Sequence, residues 1–212
     1  MTRIYLVRHG ETDWNREEVF RGRADRPLSD RGRRQAAALG RAMAARTVDA
    51  VVAGPLRRAM ETAEPIARAH GLTVAADEGL NDLDFGEWQG QAKADVRQRY
   101  PELWRQWETA PHTVVFPAGE SIVDVQRRAS AALDAIVRKM PDGHVAVVTH
   151  RVVLKVLLCH LLGAGLDSFW RLRFDTTSVS LVAFGQRGPV LESFNDTAHL
   201  AGVDDDARLG DF

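Results

Sequence analysis

The chain has 212 residues, with 28 Lys and Arg against 29 Asp and Glu and a formal charge of −1. That length supports one domain with a sizeable core, and the charge balance excludes any electrostatic case for nucleic acid or an anionic membrane as partner. The single cysteine, Cys159, cannot form an internal disulfide, so a reducing compartment is expected. The start, Met1-Thr2-Arg3-Ile4, has no long apolar signal region. The longest apolar stretch, Val152 to Leu162, is too short to span a bilayer and holds Lys155 and His160. A cytoplasmic protein is expected.

Ile4 to Val7 read as a buried strand whose apolar pattern stops abruptly at Arg8-His9-Gly10-Glu11. A charged loop runs from Glu11 to Pro27 and carries Trp14, Asn15, Arg21, Gly22 and Arg23. Ser29-Asp30 offers an N-cap for a helix with Leu39, Ala42 and Met43 on its apolar face. Val48 to Ala53 is the second strand, punctuated by Gly54-Pro55. A helix then runs through Arg58, Ile66 and Ala69 to His70-Gly71, and Leu72 to Ala75 form a third strand. This alternation predicts a mostly parallel sheet with helices on both faces.

From Asn81 to Gly90 the chain is polar and lacks a period. Val96, Tyr100, Leu103, Trp104 and Trp107 then recur at helical spacing, with Pro101 restarting a helix. These aromatics read as a packing stripe rather than ligand contacts. After a loop from Pro111 to Gly119, Ser121 caps a helix through Val125, Leu133 and Val137. His144 to Thr149 form a strand ending at His150, and an apolar helix follows to Gly163. Phe169 to Phe174, Val179 to Phe184 and Val190 to Phe194 are predicted strands, the last two joined as a hairpin. One domain over 1–212 is expected, with a helical lid-like insertion around 91–120 and a loosely held tail from about 200.

Two strands end in histidine, which brings His9 and His150 to one edge of the sheet, where open α/β sheets bind ligands. A third strand ends before Pro55-Leu56-Arg57-Arg58, adding guanidinium groups beside a helix N-terminus. Neutral imidazole is a competent nucleophile, and Arg matches phosphate oxygens bidentately. One nucleophile, at least two arginines and a second histidine suit a phosphoryl group better than an acyl group. The sequence has no Walker loop, no paired magnesium-ligand carboxylates and no zinc pattern, so no metal or cofactor is expected.

Arg8-His9-Gly10-Glu11-Thr12 with Trp14-Asn15 resembles the signature of the histidine phosphatase superfamily, in its phosphoglycerate mutase-like branch. Leu28-Ser29 with Gly32, Pro55-Leu56 with Arg58-Ala59, Thr62-Ala63, Gly86 with Trp88 and Gly90, Gly119-Glu120-Ser121 and Val148-Thr149-His150 follow in the family's order. The resemblance covers roughly residues 3 to 200. It implies a three-layer α/β/α sandwich, a phosphohistidine intermediate on His9, and a phosphate pocket from Arg8, Arg58 and His150. Asp82 is the implied proton donor, ahead of Asp84, and should have its pKa raised towards neutral. Many relatives have Glu there, about 1.5 Å more reach. Gly54 and Arg151 are further departures, from a frequent Ser and a frequent Gly. Asn15, Arg21, Gly22, Thr149 and Arg151 complete the expected substrate-binding set.

The reading is a metal-independent phosphomonoesterase of the cofactor-independent type, acting on a small phosphorylated metabolite such as a phosphosugar or phosphoglycerate derivative. A mutase and a catalytically silent phospho-ligand binding module are the alternatives; the run Gly86-Glu87-Trp88-Gln89-Gly90 looks like the phosphatase side. Arg21 and Arg23 are candidates for a second anionic group on the substrate. His112 is a lesser substrate candidate, and His160 is expected in the core. Assembly is not legible from the sequence, and a homodimer is left open.

Overall fold

A computed structural model describes residues 1–15 and 17–203. The chain order is β1 (Thr2–Arg8), α1 (Asp30–Met43), β2 (Ala50–Ala53), α2 (Arg57–Ala69), β3 (Val74–Ala76), α3 (Lys93–Arg99) and α4 (Pro101–Thr109). Then follow α5 (Ile122–Lys139), β4 (His144–Thr149), α6 (Arg151–Leu161), β5 (Val179–Gly185) and β6 (Gly188–Asp196). The six strands make one sheet in the order β3-β2-β4-β1-β5-β6. Its pairings β2–β3, β2–β4 and β1–β4 are parallel, whereas β5 runs antiparallel to β1 and to β6. The hairpin makes the sheet mixed at one side and parallel through the half that carries the two histidines.

Alternation along the central strands splits the core in two. Ile4, Leu6, Val145 and Val147 face one cluster, which includes residues of α5 and α6 and the aromatic side chains. Tyr5, Val7, Ala146 and Val148 face the other, with Leu39 of α1 and Ile66 of α2. A two-residue side-chain period on a doubly covered sheet therefore produces the three layers. Helix starts follow local chemistry. Ser29 accepts a hydrogen bond from the Gly32 N–H, and Ser121 forms a capping box with Asp124. Pro65 stands inside α2, and a Cβ on Gly40 would come within 2.6 Å of its ring, so α1 and α2 approach closely there.

Two expectations need correction. Phe169 to Phe174 is not a strand: Leu166–Arg171 form a 3₁₀ helix. Both edges of β1 are already taken by β4 and β5, so this apolar run packs by its side chains, with Phe169 and Phe174 buried. A short apolar run does not distinguish these outcomes. His160 is exposed at the end of α6 rather than in the core. The tail expected from about 200 lies, beyond Val203, outside the described residues.

Gly32 carries the junction between α1 and the loop after β1. A Cβ there would stand 2.1 Å from the Glu11 carbonyl oxygen. Gly→Ala inside a helix ordinarily gains about 0.5–1 kcal/mol, but overpacking against backbone costs roughly 1–3 kcal/mol, so the clash wins. Gly32→Ala is expected to lower the denaturation midpoint; a raised midpoint would overturn this account of the junction.

Candidate active site

The parallel register of β1 and β4 pairs Arg8 with Thr149, so the next residue of each strand, His9 and His150, leaves the sheet side by side. Their rings lie 5.2 Å apart, and His9 also donates its backbone N–H to the Thr149 carbonyl at 2.9 Å. The His9 Nδ1 is 2.7 Å from the Gly10 carbonyl oxygen. A carbonyl only accepts, so Nδ1 carries the proton and Nε2 keeps its lone pair. Burial first, and then the charges of Arg58, His150, Arg8 and Arg21, hold the His9 pKa well below the ordinary histidine value. His9 is therefore a neutral imidazole with an oriented lone pair.

The loop beyond His9 is anchored from behind. Gly10 donates its N–H to Thr62 Oγ1 at 2.9 Å. The fully buried Glu11 accepts from Ser29 Oγ at 2.9 Å and pairs with Arg31 at 3.3 Å. Asn15 Oδ1 accepts from both the backbone N–H and the hydroxyl of Thr12. Glu11 and Thr12 of the opening motif thus fix the loop's shape rather than face a ligand.

Arg58, in the first turn of α2, is fully buried. Its Nη1 donates to the Ala24 carbonyl at 2.8 Å, and its Nη2 to the Gly22 carbonyl at 2.7 Å and to Asp82 Oδ2 at 2.9 Å. Its neighbour Arg57 points to solvent and pairs with Glu61, so Arg58 is the arginine of that pair at the site. Arg8 donates from Nη1 to the Phe174 carbonyl.

Asp82 sits between Arg58 and His150, with Oδ2 3.6 Å from His150 Nδ1 and Oδ1 accepting the Leu83 N–H at 2.9 Å. Burial pushes its pKa up, but the pull of His150 and of the Arg58 guanidinium and the Leu83 N–H outweigh it, and the net shift is downward. This corrects the expected upward shift: Asp82 is a carboxylate, because a guanidinium is already bound to it. Arg128 locks the loop that presents it, donating to the carbonyls of Gly79, Asn81 and Asp82 while pairing with Glu120 at 2.6 Å. Asp84 instead accepts the Gly86 N–H and stands 3.8 Å from Arg23.

His150 is buried, and neither ring nitrogen has a hydrogen-bond partner among the described residues. Burial, against the pull of Asp82 and with the push of Arg58, Arg128 and Arg21, lowers its pKa to about 3. A Cβ at Gly54 would lie 2.6 Å from the Leu80 carbonyl oxygen and 3.0 Å from His150 Nε2. Glycine at that departure keeps the space beside the imidazole open.

A cavity of about 400 Å³ opens at this strand edge, within the range of small-molecule sites. Arg8, His9, Asn15, Arg21, Gly22, Asp82 and Arg151 line it, as do Phe85, Trp104, Trp107 and Trp170. Arg58 and His150 stand behind Asp82 rather than on the wall. Thr149 is also off the wall: its hydroxyl donates to the Leu80 carbonyl at 2.7 Å and supports the Asp82 loop. Arg23 is committed to Glu120 at 3.2 Å. His112 is exposed and away from the cavity.

Sequence reasoning missed Lys93, Glu18, Glu108 and Trp170, all on the wall. Burial, opposed by Glu18 and aided by Arg151 and Arg21, lowers the Lys93 pKa to about 8. No local pattern marks such residues, because what joins them is the packing of α3 and α4 over the sheet edge. The stripe on α4 both packs and faces the cavity, and Trp107 accepts the Trp170 indole N–H at its carbonyl. Among the described residues, no group of three or more His, Cys, Asp or Glu is arranged to hold a metal ion, and no helix is long and apolar enough to cross a membrane.

Two buried neutral histidines make stability depend on pH. Below pH 6.5 the unfolded chain protonates them while the folded protein does not, so the unfolded state binds more protons and stability falls as pH falls. For His150, which stays neutral down to about 3, the loss on going from pH 7 to 5 is about 2 kcal/mol, and His9 acts in the same direction. Asp82, also depressed, adds to the loss only below its unfolded value of 3.8. Denaturant midpoints of the wild type should drop between pH 7 and 5, and drop less in His150→Gln. An equal drop in both proteins would show that His150 is not buried neutral.

Comparison with known proteins identifies the family. The family model of the histidine phosphatase superfamily (branch 1) matches residues 4–197. Phosphoserine phosphatase 1 of Hydrogenobacter thermophilus is 34% identical over 200 residues, which cover 94% of this chain and 95% of that protein. Among solved structures, Bacillus stearothermophilus YhfR superposes with a TM-score of 0.90 at 33% identity, covering 94% of this chain and all of the other. The mycobacterial glucosyl-3-phosphoglycerate phosphatase Rv2419c gives 0.85 at 27% identity over 92% of this chain and 99% of its own. With a family model matching residues 4–197 and a relative 34% identical over 94% of the chain, and with two histidines at adjacent strand ends, the chain belongs to the histidine phosphatase superfamily.

Proposed function

We propose that the chain is a metal-independent phosphomonoesterase for small phosphorylated metabolites and works through a phosphohistidine on His9. The observation that carries the reading is the His9 ring. Its Nδ1 is tied to the Gly10 carbonyl and its Nε2 is free, neutral and set among the charges of Arg8, Arg21 and Arg58. In this reading Nε2 attacks phosphorus, the P–O ester bond breaks, and the leaving oxygen takes a proton from Asp82. Asp82 then accepts a proton from water as the oxygen attacks the phosphohistidine, which releases inorganic phosphate and restores His9.

The ionised state of Asp82 fits this cycle once charge is counted. The Asp82 carboxylate supplies the negative charge beside Arg58. A bound phosphoryl group would bring its own negative charge to the same guanidinium and so raise the Asp82 pKa. The proton needed by the leaving group is favoured only when the substrate is present. Arg8 would meet the phosphoryl oxygens from the wall, with Asn15 and Gly22 beside it, and Arg58 and the single N–H of neutral His150, both against Asp82, would reach them only as Asp82 gives way. We read α3 and α4, which carry Lys93, Trp104, Trp107 and Glu108 to the cavity, as a lid within a single domain that limits water.

His9→Ala should abolish turnover of p-nitrophenyl phosphate. Wild type quenched in alkali after exposure to labelled substrate should carry phosphate that survives base and is lost in acid. Equal activity in the variant would overturn the covalent step. Isomerised phosphoester in place of inorganic phosphate would turn the reading to a mutase.

Asp82→Asn separates the proton-donor role from simple charge. Alkyl phosphates need their leaving oxygen protonated and should slow by roughly 10²–10⁴-fold, the range of general acid catalysis. An aryl phosphate such as p-nitrophenyl phosphate leaves as a stable anion and should slow far less. A uniform small effect on both, with Asp84→Asn giving the selective loss, would transfer the role to Asp84.

A further inference from the structure

One turn of the chain stands behind Arg8. The Arg8 Nη1 donates to the Phe174 carbonyl, and the Arg8 backbone N–H donates to the Ser178 carbonyl at 3.3 Å. The same turn reaches His9, whose carbonyl accepts the Thr177 N–H at 3.4 Å. Thr177 is buried and holds φ at +55°, a left-handed conformation that is rare for a β-branched residue. Such strain persists where the surroundings over-determine the backbone, and it collects at functional sites. Here the surroundings include two neighbours on β6. The Phe194 ring meets Phe174 edge-on, with centroids 5.2 Å apart. Asn195 Oδ1 accepts the Asp175 N–H at 2.8 Å, and its Nδ2 donates to Asp175 Oδ2 at 2.8 Å. The Asn195 backbone N–H goes to Ser180 Oγ at 3.0 Å, and its φ of +53° is one that asparagine tolerates. Asn195 lies where the β5–β6 ladder slips, between the pairs Leu181–Ser193 and Val179–Asp196. Bulges beside a site serve to re-aim side chains.

We infer that Asn195 is a positioning residue for phosphoryl binding: its paired hydrogen bonds to Asp175 fix the Phe174 carbonyl, and that carbonyl sets the plane of the Arg8 guanidinium at the cavity wall. The inference rests on the phosphatase reading for what Arg8 holds, and on the geometry of the turn for how Arg8 is held. A guanidinium presents its donors in a rigid planar fork. With one Nη held from behind, the other donors meet phosphoryl oxygens without first giving up rotational freedom. The β5–β6 hairpin, which adds no side chain to the cavity wall, thereby takes part in binding through Arg8.

Asn195→Gly removes the paired hydrogen bonds and keeps the left-handed backbone accessible. In that variant KM for p-nitrophenyl phosphate and the inhibition constant of inorganic phosphate should rise together by roughly 3- to 30-fold, the scale of one or two hydrogen bonds, with kcat changed less. A merely structural role would lower the active fraction, and with it kcat, at unchanged KM and inhibition constant; that result overturns the proposal. Asp175→Asn keeps the backbone N–H and an acceptor for Asn195 Nδ2 and should stay near wild type. In an Arg8→Lys background, which lacks the fork, Asn195→Gly should cost little more; an equal loss in both backgrounds would place its effect elsewhere. Nitrogen NMR of the Arg8 guanidinium reads the positioning with no substrate present. The two Nη signals should be distinct in the wild type and merge in Asn195→Gly, as rotation about Nε–Cζ is freed. Signals merged in the wild type, or unchanged by the substitution, overturn the proposal even in a working phosphatase. A wild type that neither hydrolyses phosphoesters nor binds phosphate would defeat the phosphatase reading, and the NMR signals would still decide how Arg8 is held.

Discussion

A fully buried guanidinium must be surrounded by oxygen, and the site is built around that demand at Arg58. Its donors take the carbonyls of Gly22 and Ala24 and the carboxylate of Asp82. One side chain therefore ties the first turn of α2 to the loop before α1 and to the loop after β3. Removing any of the three partners would leave a charge in a dry interior, which is costly. The arrangement fixes where Asp82 stands, and with it what His150 faces. A second set of bonds, from Arg128 to the carbonyls of residues 79, 81 and 82 and to Glu120, holds the same loop from the other side.

The electrostatic consequence is a pair of imidazoles kept neutral by burial and by neighbouring positive charge. His9 gains from this, since a protonated ring has no lone pair to offer. His150 keeps one N–H, which the proposed function assigns to a phosphoryl oxygen, without adding a further permanent charge. Asp82 balances the Arg58 guanidinium at 2.9 Å, so the pair holds no uncompensated charge in the buried interior. In the proposed cycle, attraction for a phosphoryl group and readiness of Asp82 as proton donor would be one equilibrium, because both would depend on how strongly Arg58 holds Asp82.

Packing and chemistry meet at α4. Trp104 and Trp107 belong to a network of edge-on aromatic contacts that includes Phe85, Phe116 and Trp170, and they also present surface to the cavity. Large rigid rings give a wall of fixed shape at low entropic cost. Behind Trp170, the buried Lys155 lies 4.8 Å from its ring centroid, a cation–π contact that pins the indole from the core side.

Much of this was written in the chain itself. Abrupt ends of apolar runs at Arg8-His9 and Thr149-His150 marked both strand ends, and a serine N-cap marked α1 and another α5; these signals are local, so spacing and residue type suffice to find them. The membership of Asp82 rather than Asp84 in the Arg58 cluster was legible only through resemblance, and only the fold gives it a physical cause. The sign of its pKa shift lay out of reach, because it depends on a guanidinium 24 residues away in sequence and 2.9 Å away in space. The same holds for Lys93, Glu18, Glu108 and Trp170, and for the withdrawal of Thr149 and Arg23 into structural bonds. A run such as Phe169 to Phe174 has strand composition, yet it forms a 3₁₀ turn because the sheet has no free edge beside β1. Sequence pattern marks most of the strands and helices here; which polar groups face each other across the cavity is decided by non-local packing, which no single stretch of sequence encodes.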